Sequence, residues 1–149
     1  MTKGFAVALL PLFLIGCGED QHDVAYYLKN EAARKTTLAA CAPLPRAGMD
    51  QPNCVNATIA NKEAAIEGLK ELAKTRVRLM LKDPESARFS YVRYQEGSHY
   101  ICGYVNAKNS YGGYVGDRTF VVGDGQAILG DGEGDAYPDE YIAKACGDQ

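Results

Sequence analysis

From Val24 onward the hydrophobic pattern changes period once. Val24, Tyr27 and Leu28 recur at three and four residues, and the pattern continues to Cys41, which reads as helix. Asn30 followed by Glu31 offers a polar cap and an early acid, so a break and a second helix start are expected there. A link containing Pro43, Pro45, Gly48 and Pro52 follows. A long helix is then predicted from Cys54 to Lys82, with Ile59, Ala60, Ile66, Leu69, Leu72, Ala73, Val77 and Met80 as its buried stripe. Asp83-Pro84 ends it, because the residue before proline avoids the α region. Beyond Pro84 the period is two. Phe89, Tyr91 and Val92 predict one strand, Tyr100 to Val105 a second, Tyr114 to Val122 a third and Ala127 to Leu129 a short fourth. Gly97 and Asn109-Ser110-Tyr111-Gly112-Gly113 supply turns. Tyr137-Pro138-Asp139-Glu140 opens a last helix, with proline at its start and acids in its first turn, carrying Tyr141, Ile142 and Ala145 to Cys146. The expected fold class is α+β: an N-terminal disulfide-linked helical hairpin, a small antiparallel β-meander and a C-terminal helix.

The stretch before Val24 has a different character. Lys3 is followed by an apolar run from Phe5 to Ile15, which fits a secretory h-region of about 7–15 residues and is too short for a spanning helix of about 20. It ends in Leu14-Ile15-Gly16-Cys17, the bacterial lipobox pattern. The signal peptidase needs a small residue beside the cut, and the Cys17 thiol is the atom that takes the diacylglycerol. One acyl chain binds a membrane reversibly, whereas several on one residue anchor stably. An ordinary signal peptide containing a cysteine, or an uncleaved anchor, is the alternative. Gly18 in place of Asp favours outer-membrane over inner-membrane sorting in a Gram-negative envelope. The expected organisation is a signal peptide over 1–16, a lipidated tether over 17–22, a helical region over 23–82 and a β-rich region over 83–149.

Composition changes this picture little. Lys+Arg 16 against Asp+Glu 19 leaves the chain slightly acidic, and no basic stripe runs along any segment, which argues against nucleic acid as partner. Cysteine content says more. With Cys17 lipidated, Cys41, Cys54, Cys102 and Cys146 remain, an even number in an oxidising compartment. Of the possible pairings, local spacing favours Cys41–Cys54, which would staple the Pro-rich link, and Cys102–Cys146, which would tie a strand to the last helix. Metal-ligand spacing is missing among them, and His22 and His99 stand apart, so no metal is expected.

A search for catalytic groups returns no G-x-S-x-G, no H-E-x-x-H and no phosphate-binding glycine loop, and neither an enzyme nor a cofactor is expected. His22 falls in the tether and His99 in a turn, both read as solvated structural residues. Asp131, Glu133 and Asp135 alternate as in a calcium loop, but Ala136 stands where glycine is required and Ile142 where the bidentate Glu belongs. Tyrosine is abundant, with 10 residues, and tryptophan is absent. Tyrosine offers large contact area and one hydrogen bond at low entropic cost. Tyr26, Tyr27, Tyr104, Tyr111 and Tyr114 are therefore the candidate interaction surface, with cover of a small core as the competing explanation.

Asp23-Val24-Ala25-Tyr26-Tyr27-Leu28, then Ala33-Arg34-Lys35, Leu38 and Cys41, then Pro52-Asn53-Cys54-Val55-Asn56-Ala57, resembles the EexN family of conjugative entry-exclusion lipoproteins. Those members combine a lipobox, a V-x-x-Y-L turn, a helix ending in cysteine, a proline-containing link and a PNC-x-NA that opens the next helix. The resemblance covers the leader and about forty residues beyond it. Residues Val77 to Val122 are additional, and resemble an uncharacterised small module found in bacterial and phage proteins. The resemblance implies a membrane-anchored protein that blocks redundant plasmid transfer by recognising a protein of the type IV secretion or conjugation apparatus. Two other roles fit the same tether and size: an immunity or inhibitor lipoprotein of the periplasm, and a structural lipoprotein of a secretion channel.

Overall fold

The structure, a computed structural model, describes residues 20–130 and 145–147. The lipobox with Cys17, the acids Asp131, Glu133 and Asp135, and the predicted last helix up to Lys144 lie outside the described residues. Within them the chain is mixed helix and sheet, with a four-stranded antiparallel sheet and two cysteine pairs at disulfide distance.

Two short helices come first, α1 (Val24–Lys29) and α2 (Glu31–Cys41). Asp23 caps α1 by accepting a 2.7 Å hydrogen bond from the Tyr26 amide, which satisfies one of the orphan donors of a helix start. The break falls at Asn30 as expected, but its side chain does not cap α2. It turns back and donates to the Tyr26 carbonyl at 2.9 Å, closing the end of α1 instead. The Tyr27 carbonyl next to it receives the buried Arg34 guanidinium at 2.8 Å. The link carries one helical turn, α3 (Arg46–Met49), and Pro52 then opens α4 (Pro52–Arg78) at a position where a missing N–H costs nothing.

Helix α4 corrects the expected stripe. Its buried positions are Cys54, Ala57, Ala60, Ala73 and Val77, while Ile59, Leu69, Leu72 and Met80 are exposed. The reason is a change of face. At about 100° per residue, Ala57 and Ala60 lie on the side turned to α1, and Ala73 and Val77 on another side turned to the sheet. Val55 and Ile59 continue the sheet-facing stripe past the described strands and are exposed. The helix also stops at Arg78 rather than Lys82. Met80 and Leu81 bond back to Val77 and Arg78, tightening the last turn, and Asp83 caps a separate 3-10 turn at Pro84–Ser86.

The sheet comprises β1 (Arg88–Gln95), β2 (Tyr100–Asn106), β3 (Arg118–Gly123) and β4 (Gln126–Leu129), each antiparallel to the next. Its third strand starts later than Tyr114, which makes only an isolated bridge to Lys108. One face, with Ile101, Val105, Phe120 and Val122, packs on Ala73 and Val77. The other holds Cys102, Val121 and Ile128 under Ala145 and Cys146. Strand β1 carries a bulge between Ser90 and Arg93, and Tyr91 there adopts φ 51°. A bulge resets the alternation of faces, so Phe89, Val92 and Tyr94 pack towards α4 while Tyr91 meets Tyr104 at 6.2 Å. Asp124 (φ 48°) and Gly125 (φ 77°) form the two-residue turn from β3 to β4, a left-handed pair that Asp-Gly favours. Gly123 is required for another reason: a Cβ there would lie 1.6 Å from the Tyr100 ring, whose hydroxyl donates to Asp124.

Candidate interaction surface

The candidate tyrosines divide between the two ends of α4. At the first end, the chain around His22 is held rather than free. The His22 amide donates to Asn53 Oδ1 at 2.9 Å, Asn53 Nδ2 donates to the Asp20 carbonyl at 3.0 Å, and Asn56 Nδ2 donates to the His22 carbonyl at 2.8 Å. The half-buried His22 ring stacks on Tyr26, with centroids 3.7 Å apart and 9° between planes. Tyr27 is only 1 % exposed, packed on Ala57 and Ala60 with its hydroxyl receiving Thr37 Oγ1 at 3.3 Å. It is a core residue and offers no contact surface. The position three after Val24 points into the helix pair, which is what the helical period demands. Beside it lies an open cavity of about 580 Å³, lined among others by Asp20, Thr37, Leu44, Gln51 and the cysteines Cys41 and Cys54.

At the other end, Tyr111 is 96 % exposed at the tip of the loop that follows β2. Asn109 shapes that loop by accepting the amides of Tyr111 and Gly113 on its side-chain oxygen. Tyr114 is partly covered by two cations, Arg88 at 4.2 Å and Lys108 at 5.7 Å from its ring centroid. Tyr104 is half-buried and meets the edge of Tyr91. Next to this group, Met80, Leu81, Val105 and Val115 with Lys82, Lys108 and Arg118 line a second cavity of about 340 Å³. Sequence periodicity missed Arg88 and Lys108 as members of this surface. The bulge that turns Tyr91 outward has no residue signature, and the cations reach Tyr114 only through the fold.

Both cysteine pairs form as spacing favoured. Cys41–Cys54 and Cys102–Cys146 each have Cα atoms 5.9 Å apart, within the ordinary range for a disulfide. The first closes the α2–α4 link, and the second fixes residues 145–147 to β2. Arg93 adds to the second by donating to the Cys146 carbonyl at 3.1 Å, and Ser98 donates to the Ala145 carbonyl at 2.6 Å.

Among the described residues each ion pair has at least one largely exposed partner. Lys62 and Glu96 pair at 2.6 Å between α4 and the turn after β1. The Lys62 hydrogen bond and charge hold the Glu96 carboxyl below its usual value, and Glu96 raises Lys62 in return. His99 lies in the same turn at φ 59° and shares a 2.5 Å hydrogen bond with the Tyr94 hydroxyl. Among the described residues no group of three or more His, Cys, Asp or Glu is placed to hold a metal ion, and no helix is long and apolar enough to cross a membrane. None of the family models, curated proteins or solved structures compared with this chain matches it.

Proposed function

We propose that this chain is a membrane-anchored entry-exclusion lipoprotein. Lipid on Cys17 holds it in the envelope of a Gram-negative bacterium, with its domain in the periplasm or at the surface. There it binds a component of the type IV secretion apparatus and blocks redundant conjugative transfer. One observation carries the reading. The residues that resemble the entry-exclusion family converge on a single physical unit instead of lying scattered over the surface. Asp23 caps α1, Tyr27 fills the core against Ala57, Cys41 is bonded to Cys54, Pro52 opens α4, and Asn53 and Asn56 hold the chain at Asp20 and His22. These motif positions have structural tasks that depend on one another, so the resemblance covers a folding unit. In this reading the helices form a hairpin closed by Cys41–Cys54, followed by an antiparallel meander and a C-terminal helix.

The role requires recognition and no chemistry. Of the two ends, the one with Tyr91, Tyr104, Tyr111 and Tyr114 is the better contact surface. It presents aromatic area with Arg88 beside it, a composition enriched where proteins meet. The test is a mating assay into recipients that express this protein alone, with and without Cys17→Ala. A large fall in acquisition of the related plasmid, lost with Cys17→Ala, supports tethered exclusion. Unchanged transfer of every related plasmid overturns it and leaves an immunity or channel role.

A further inference from the structure

A segment expected to be a loose tether is bound to the fold. Asn53 and Asn56 make three hydrogen bonds to the backbone of residues Asp20 and His22, and His22 is stacked on Tyr26. Asp20 stands three residues after Cys17. A chain extends at most about 3.3–3.6 Å per residue, so the two Cα atoms are no more than roughly 11 Å apart whatever path joins them. An acylated cysteine sits at the boundary between headgroups and acyl chains. The fixed point at Asp20 must then lie within about one headgroup layer of the bilayer.

We infer that the end of the domain holding Asp20, the 42–51 link and the Cys41–Cys54 disulfide rests on the lipid headgroups, with the tyrosine-bearing end of the sheet held away from them. The inference depends on the lipidation of Cys17 proposed above. Asp20, Leu44, Gln51 and Cys54 line one cavity, so the link lies beside the fixed point. Met49, in the same link, exposes half its surface there. The opposite end is set by α4. The helix meets α1 through Ala57 and Ala60 and the sheet core through Ala73 and Val77. From Ala57 to Val77 the axis advances roughly 30 Å at about 1.5 Å per residue. The Met80–Val105–Lys108–Arg118 cavity lies past that point, with Tyr111 and Tyr114 on the adjoining loop. A partner reaching the membrane from the far side would meet this loop first, while the helical unit is occupied by lipid.

The natural absence of tryptophan makes the orientation measurable. Met49→Trp and Tyr111→Trp, each at an exposed position, give one emitter apiece in the full mature chain. Both are placed in vesicles of phosphatidylethanolamine and phosphatidylglycerol containing a phosphatidylcholine with a headgroup nitroxide, after mass spectrometry of Cys17. The expected result is quenching of Met49→Trp several-fold stronger than of Tyr111→Trp. A flexible Gly-Ser insert of about twenty residues between Glu19 and Asp20, spanning about 25 Å on average, should abolish the difference. Equal quenching of the two emitters, or stronger quenching of Tyr111→Trp, on an acylated protein overturns the orientation and leaves the lipoprotein reading intact. A difference that survives the insert overturns the tether argument. An unacylated Cys17 overturns both readings.

Discussion

Where the helical core closes on Tyr27 between Ala57 and Ala60, the sheet core closes on Phe120 beneath Ala73 and Val77. The two lie along the same helix and are held together differently. In the helical unit the fully buried cluster is one tyrosine and two alanines, with Val24, Tyr26, Ala33 and Leu38 only partly covered around it, so less apolar area is removed from water. Polar ties make up the difference: Arg34 on the Tyr27 carbonyl, Asn30 on the Tyr26 carbonyl, the two asparagines on residues 20–22 and a disulfide across the link. In the sheet, Ile101, Val105, Phe120 and Val122 form a contiguous apolar layer, and the backbone ladder satisfies its own polar groups. The first unit therefore rests on one buried ring together with specific polar contacts, and the second on a continuous layer of side chains.

The largest effect is expected from volume. Phe120→Ala should cost about 3–5 kcal/mol, because the ring is fully buried and Phe89 and Gly103 cannot fill its place. The midpoint of chemical denaturation measures it, and a cost below about 1 kcal/mol would mean that the sheet core is not closed on this residue. Next comes the staple. Cys41→Ser with Cys54→Ser releases a loop of 13 residues in sequence separation, worth about 3 kcal/mol in the chain-entropy model. Thermal melts of the oxidised parent and the double variant give the comparison.

A smaller change separates packing from bonding at Tyr27. Tyr27→Phe keeps the ring and loses only the hydroxyl that receives Thr37, for about 1 kcal/mol, whereas Tyr27→Ala should cost about 3–5 kcal/mol. If both variants cost the same in a denaturant titration, the ring is not what fills this core. The smallest effect is on the surface. Glu96 titrates below the usual carboxylate value because Lys62 bonds to it, so its folded pKa lies under its unfolded one. The resulting stability is present above the unfolded pKa and fades as pH falls through the folded pKa, and salt weakens it. A side-chain NMR titration should place Glu96 below ordinary glutamates, and Lys62→Ala should return it; no movement in that variant would remove Lys62 as the cause.

Much of this was legible in the chain, for reasons visible in particular elements. The break at Asn30, the four strands and both disulfides follow from short-range signals: a polar residue before an acid (though Asn30 closes α1 and leaves α2 uncapped), alternation of apolar residues, and cysteines whose spacing suits a link and a strand. The stripe of α4 was misread because periodicity finds a face but not a change of face. Ile59 and Leu69 satisfy the helical repeat, yet Ile59 lies past the described strands, while small Ala57 and Ala60 allow close approach of α1. Tyr27 was placed on the surface because tyrosine is read as amphipathic, although its position three after Val24 in the apolar repeat points inward. The outward turn of Tyr91 depends on one extra residue in β1, and the hold of Asn53 and Asn56 on residues 20–22 joins positions more than thirty residues apart in sequence. Neither has a local signature.

The contrast between the two units is tested most directly by amide hydrogen exchange on the oxidised protein and on the Cys41→Ser, Cys54→Ser variant. The account predicts that protection falls across Val24–Cys41 and the first half of α4, while amides of β2 and β3 paired between Ile101 and Val122 keep theirs. Equal loss of protection in helices and sheet would contradict it, and would show one core where two are described.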